Sequence, residues 1–206
     1  MAKKSKRWKE IFKEVDVSRV YQPTEVMDAI KGAAKAKFDE TIEVAFCLGI
    51  NPKHADQQVR NTVTLPEGTG QEVRVIVATK GENVQAALEA GAQEAGAEEL
   101  MEKIQGGWFD FDILIATQDM MGQLARLGKI LGPRKLMPNP KAGTVVPASP
   151  DILAKTIKEF KAGKVEFRND RQGNVHVAIG KASFDPQRLL INFAAIVNAV
   201  LKAKPS

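Results

Sequence analysis

The sequence predicts an α/β protein of two domains: a split α+β domain with an antiparallel sheet, and a Rossmann-like α/β domain inserted into it. Three observations predict it. Strand-like segments near both ends alternate apolar and polar residues, as strands with one covered face do. The middle carries short uninterrupted apolar runs separated by helical periods, the pattern of a sheet covered on both faces. The style changes at two Gly-containing stretches, PEGTG at 66–70 and the segment at 160–163. The expected units are residues 1–67 plus 161–206, and an inserted three-layer unit at 68–160, with hinges at those two stretches.

The elements follow in order. Trp8, Ile11, Phe12 and Val15 stand at helical spacing, predicting a short helix over 6–15. A second helix begins near Pro23, a favourable first-turn residue, and runs through Val26, Ile30 and Ala34. In TIEVAFCL, Ile42, Val44, Phe46 and Leu48 alternate with Thr41, Glu43, Ala45 and Cys47, which predicts a strand. Another strand is expected around Val59–Leu65. VRVIVA (73–78) and ILIA (113–116) read as doubly covered strands, with amphipathic helices at 82–90 and 97–105 between them and a further helix after 116. A Gly- and Pro-rich loop spans 132–147, and a helix starts near Ser149–Pro150. KVEFR (164–168) and NVHVAI (174–179) alternate again, with NDRQG between them as a hairpin turn. The last helix, from Asp185–Pro186, buries Leu189, Phe193, Ile196, Val197 and Val200.

Composition bounds the function. The 206 residues are 44% hydrophobic and 27% charged, ordinary for a folded domain protein. Nowhere do 18 apolar residues run together, and the basic N-terminus MAKKSKRWKE lacks the apolar stretch of a secretory signal. One cysteine, Cys47, and two histidines speak against disulfides and a zinc site, so a reducing cytoplasm is expected, without metal or cofactor. Net charge is +5, unevenly spread. Residues 1–67 carry +2, residues 68–160 carry −2, and residues 161–206 carry +5. Basic outer segments around an acidic middle suggest two electrostatically different bodies.

Two features carry candidate chemistry. Lys164, Arg168 and His176 lie on outward strand positions, and Lys37–Phe38 precedes the strand that shows Thr41 and Glu43. Cations for phosphates, a ring for a base or ribose, and carboxylates such as Glu43, Glu166 and Asp170 for 2′-hydroxyls suit RNA. The alternative is an ordinary solvated sheet face with cross-strand ion pairs. The second feature is residues 120–150, which hold Arg126, Lys129, Arg134, Lys135 and Lys141 and no acidic residue. A rigid basic loop favours a large anion; the alternative is a structural loop balancing nearby acids. Enzyme signatures fail. GKAS at 180–183 lacks the upstream glycine of a phosphate loop, and GTG at 68–70 precedes a strand instead of following one. A nucleotide enzyme with its ligand near Lys80–Asn83 or Thr117, and a scaffold for acidic proteins, remain the competing readings.

Five ordered blocks carry a resemblance. KFDETIEV (37–44), LGINPKHADQQVR (48–60), ILGPRKLMPNPKAGTV (130–145), KAGKVEFRND (161–170) and IGKASF (179–184) resemble the bacterial ribosomal protein L-one family, in spacing as well as in sequence. The resemblance implies a non-enzymatic protein of the large ribosomal subunit that binds the stalk region of 23S rRNA and forms the mobile lateral stalk. It implies help in releasing deacylated tRNA from the exit site, and repression of translation from its own mRNA. On the family pattern the RNA contacts fall on Lys37, Phe38, Thr41, Glu43, Lys164, Arg168, Asp170, His176 and Lys181. A secondary nucleic-acid surface falls around Arg134 and Lys141. Other large-subunit components are the remaining partners; a membrane or small-molecule substrate is not expected. Three departures accompany it. Lys135 and Asn61 stand where the family usually has glycine. The sequence ends at KAKPS, where relatives continue into a strand with a Thr-Met-Gly element that touches RNA; either that strand lies beyond this sequence or this version lacks part of the site.

Overall fold

The structure, a computed structural model, describes residues 10–12, 16 and 18–205. It has the mixed α/β fold that the patterning predicts. Most of the helix expected over 6–15 lies outside the described residues, although residues 10–12 are helical.

Helix α1 (Pro23–Ala33) starts at its proline, whose missing N–H costs nothing in a first turn. It leads to β1 (Thr41–Cys47), which pairs antiparallel with β8 (Asn174–Lys181). β2 (Arg60–Thr64) pairs antiparallel with β7 (Lys164–Arg168). The alternation is real: Val175, Val177 and Ile179 are buried while His176 is exposed. The covered faces meet α7 (Pro186–Ala203), whose start is capped by the Asp185 carboxylate accepting from Gln187 N–H. Leu189, Ile196 and Val200 of α7 share one core with Met27, Ile42, Phe167 and Val177.

One expectation is corrected here. β7 and β8 do not form a hairpin ladder; a single bridge, Asn169 to Val175, joins them. The Asp170 carboxylate accepts from the N–H groups of Gln172 and Asn174, both at 2.8 Å, and closes the turn on itself. The strands then diverge to separate partners, β2 and β1, so the antiparallel sheet consists of two paired ladders.

The middle of the chain forms a parallel sheet of β3 (Val75–Ala78), β4 (Glu94–Gly96), β5 (Ile113–Thr117) and β6 (Val145–Val146), in the order β4-β3-β5-β6. Residues 75–78 are wholly buried because helices cover both faces. Ile76, Ala78, Leu114 and Ala116 pack on α3 (Glu98–Gln105) and on the 120–131 segment. Val75, Val77 and Ile115 pack on α2 (Glu82–Glu89) and α6 (Pro150–Lys161). The helix expected after 116 is broken into short turns, among them α4 (Met121–Leu124) and α5 (Gly128–Leu131).

The two segments that join the antiparallel and parallel parts run side by side. Leu65 N–H donates to Gly163 O at 3.1 Å. Gly163 has φ +111, and a side chain there would come within 2.7 Å of Gly68 Cα, so only glycine fits the crossing. Asn192 of α7, fully buried, ties the first of these segments to β8. It accepts from Glu67 N–H at 3.0 Å and donates to Gly68 O at 2.9 Å and Ile179 O at 2.8 Å. Arg188, one turn earlier, reaches the Glu67 carboxylate at 2.8 Å and lies over the Phe184 ring.

Candidate nucleic-acid interface

Phe38 stands 72% exposed just before β1, between exposed Lys37 and Asp39. A large apolar ring in water needs a rigid mount or it folds back onto the protein. The mount is visible. Asp39 accepts from both Ser183 N–H (3.0 Å) and Ser183 Oγ–H (2.6 Å), and Ala182 N–H donates to Glu40 O at 2.8 Å. The hydroxyl of Ser183, first, and its N–H hold the Asp39 carboxyl below the usual carboxylate range. Two successive residues after Phe38 are thus pinned to the turn between β8 and α7.

The register of β1 with β8 then builds an outward row. Thr41 sits opposite Lys181, whose ammonium donates to the Thr41 hydroxyl at 2.8 Å. Glu43 is opposite Ala178, and Ala45 is opposite His176. Lys37, Phe38, Thr41, Glu43, Lys181 and His176 therefore belong to one continuous surface. Arg168 and Asp170 adjoin its far end, where the His176 imidazole lies 3.7 Å from the Asp170 carboxylate. The turn's N–H groups, with Asn174 first, and to a smaller degree His176 hold the Asp170 carboxyl low. Most of Asp170's accepting capacity is already used by its own turn.

Lys164 is placed differently. Its side chain is only 17% exposed, its ammonium is 2.9 Å from the Glu159 carboxylate, and it lies over the Phe160 ring. A side chain at residue 143 would meet that ammonium at 3.2 Å. Lys164 thus faces α6 and the 140–143 turn, at the opposite end of β7 from Arg168. In the parallel part, the Arg134 guanidinium carbon is 3.9 Å from the Phe109 ring centroid, and Lys141 is exposed within the short turn Pro140–Ala142, whose start Asn139 caps by accepting from Lys141 N–H.

Loop 132–139 lies across from this surface and leaves a cleft on each side of Lys135. One space, about 320 Å³, includes Thr41, Lys164, Glu166 and Ala178 in its walls. The other, about 910 Å³, is walled by Arg60, Arg168, Asp170, Arg171 and His176. Lys135 and Met137 border both. Arg60 and Arg171 were not singled out in the sequence, whereas Lys135 was, as part of the basic 120–150 stretch; the pairing of Arg60 with Arg168 across β2 and β7 sets Arg60 beside a residue that was. Among the described residues no cluster of three His, Cys, Asp or Glu side chains is arranged to hold a metal ion.

The comparisons with known proteins bear on this surface. A family model described as "Ribosomal protein L1p/L10e family" matches residues 30–206. The chain belongs to that family. The large ribosomal subunit protein uL1 of Chloroflexus aurantiacus is 54% identical over 207 aligned positions, covering 100% of this chain and 86% of the relative. The uL1 protein of Gloeobacter violaceus is 53% identical, covering 100% of this chain and 85% of the relative. This L1-family chain is a structural protein of the large ribosomal subunit, not an enzyme, and it resides with the ribosome in the cytoplasm.

Proposed function

We propose that this L1-family chain binds the stalk region of 23S rRNA through the outward row of β1 and β8. In this reading Phe38 packs on a base or ribose, and Lys37, Lys181 and Arg168 meet phosphates. Thr41, Glu43, His176 and the spare lone pairs of Asp170 exchange hydrogen bonds with 2′-hydroxyls and base edges. Lys164 acts from behind, by fixing β7 against α6. Arg134 and Lys141 form a secondary nucleic-acid surface.

Residues 1–67 with 161–206 are the main rRNA-binding domain, and residues 68–160 are an inserted domain turning about hinges near 66–70 and 160–163. So bound, the protein forms the mobile lateral stalk, aids departure of deacylated tRNA from the exit site, and represses its own mRNA through a similar RNA shape. Family membership and the relatives' names support the ribosomal part of this reading.

The observation that carries the RNA contact is the exposure of Phe38 on a platform held by Asp39 and Ser183. Phe38→Ala is expected to weaken binding to a stalk rRNA fragment by about 1–3 kcal/mol, the range for a ring stacked on a base. Filter binding at fixed salt measures it. Unchanged affinity, with unchanged melting temperature, would remove Phe38 from the interface.

A further inference from the structure

We propose that Lys135 is an RNA-phosphate contact from the parallel part, closing the 910 Å³ cleft over Arg168 and Arg171 so that one RNA strand is held by both parts of the chain. The inference rests on the RNA reading above and extends it across the cleft.

It begins with the backbone. Leu136 N–H donates to Leu131 O at 3.1 Å and Lys135 N–H donates to Gly132 O at 3.0 Å. That pair of bonds is a Schellman ending, in which the residue in Lys135's place takes a left-handed conformation and is usually glycine. Lys135 has φ +63, and it alone among the described non-glycine residues has positive φ. Leu136 completes the motif by packing on the same core as buried Leu131. A lysine is therefore held where local geometry favours no side chain, at the tip of an exposed loop. Unfavourable backbone of this kind persists where a functional side chain is needed.

The charge pattern says what the side chain meets. Two carboxylates border the cleft, and each is already engaged. Glu166 pairs with Arg60 at 2.5 Å, and Asp170 is held by its own turn and by His176. Arg168, Arg171 and Lys135 have no carboxylate within ion-pair distance among the described residues, and all three border this one cleft. Three unbalanced cations, two on one wall and one on the other, suit a strand of phosphodiesters running between them. An acidic protein segment would need apolar anchors as well, and of the side chains opposite, Met137 is the main apolar one.

The test compares Lys135→Gln, which removes the charge and keeps the side chain, with Lys135→Gly, which removes both charge and strain. Binding of a stalk rRNA fragment is titrated against salt for each, beside the wild type and Phe38→Ala. Both Lys135 variants should bind several-fold more weakly, with the slope of log affinity against log salt smaller by about 0.7–0.9, the value for one lost phosphate contact. Lys135→Gly should do so without loss of melting temperature. If Lys135→Gln binds as the wild type does while Phe38→Ala is weakened, the clamp is wrong and the outer-surface reading stands. If neither change matters, both readings fail.

Discussion

Lys164 and Asp170 occupy outward strand or turn positions of the type that sequence patterning assigns to RNA, yet the chain uses much of each for its own structure. Asp170 lies in the turn past β7; for Lys164, pleat parity shows which way the side chain leaves the strand. It does not show what the rest of the chain lays over that face. Lys164 meets α6, and Asp170 meets backbone N–H groups two and four residues on. Thr41, Glu43 and His176 were legible from strand alternation and Lys181 only from the resemblance, since the β1–β8 register shifts between Ile42 and Glu43. Asp39 was not, since a carboxylate that mounts a neighbouring ring has no periodicity to reveal it. Its role is open to a pH experiment. Because the folded protein depresses the Asp39 pKa, the contact with Ser183 contributes fully above the ordinary carboxylate range and is lost as pH falls through the lowered value. Carboxyl-carbon NMR should show Asp39 titrating below an exposed aspartate, and Ser183→Ala should move it back up. A midpoint that ignores Ser183→Ala would separate the two residues.

At the scale of elements, periodicity located the long helices and the strands with four or more residues. It missed β4 and β6, with three and two residues, because so short a segment completes too little of any period. It also paired β7 with β8, the nearest neighbours in sequence, whereas the structure gives each a partner more than 90 residues away, β2 and β1. Local turn chemistry in NDRQG gave a correct turn and a wrong ladder. The element that organises these distant strands is α7, through Asn192. One buried amide satisfies Glu67 N–H, Gly68 O and Ile179 O, so removing it orphans three backbone groups, two beside the crossing and one on β8. Asn192→Ala should therefore destabilise the protein by about 3 kcal/mol or more, several times the effect of an average hydrogen bond, by denaturant titration. A loss under about 1 kcal/mol would mean that water replaces the amide readily.

Over the whole molecule, the charge asymmetry read from the sequence becomes a spatial one. The basic outer segments supply Lys37, Arg168, Arg171 and Lys181, while the acidic middle contributes one basic loop, whose Lys135 shares a cleft with Arg168 and Arg171. Charge counting alone did not reveal that the two basic regions share a cleft, because that depends on the crossing at Gly68 and Gly163. The central claim is that this assembled surface recognises folded RNA by shape, with phosphate contacts supplying much of the affinity. A salt-titrated binding curve for a 23S rRNA stalk fragment, beside a length-matched RNA duplex, tests it most directly. The account predicts tight, selective binding to the stalk fragment that weakens steeply with salt, each phosphate contact adding about 0.7–0.9 to the slope. Equal and weak binding to both RNAs at every salt concentration would contradict it.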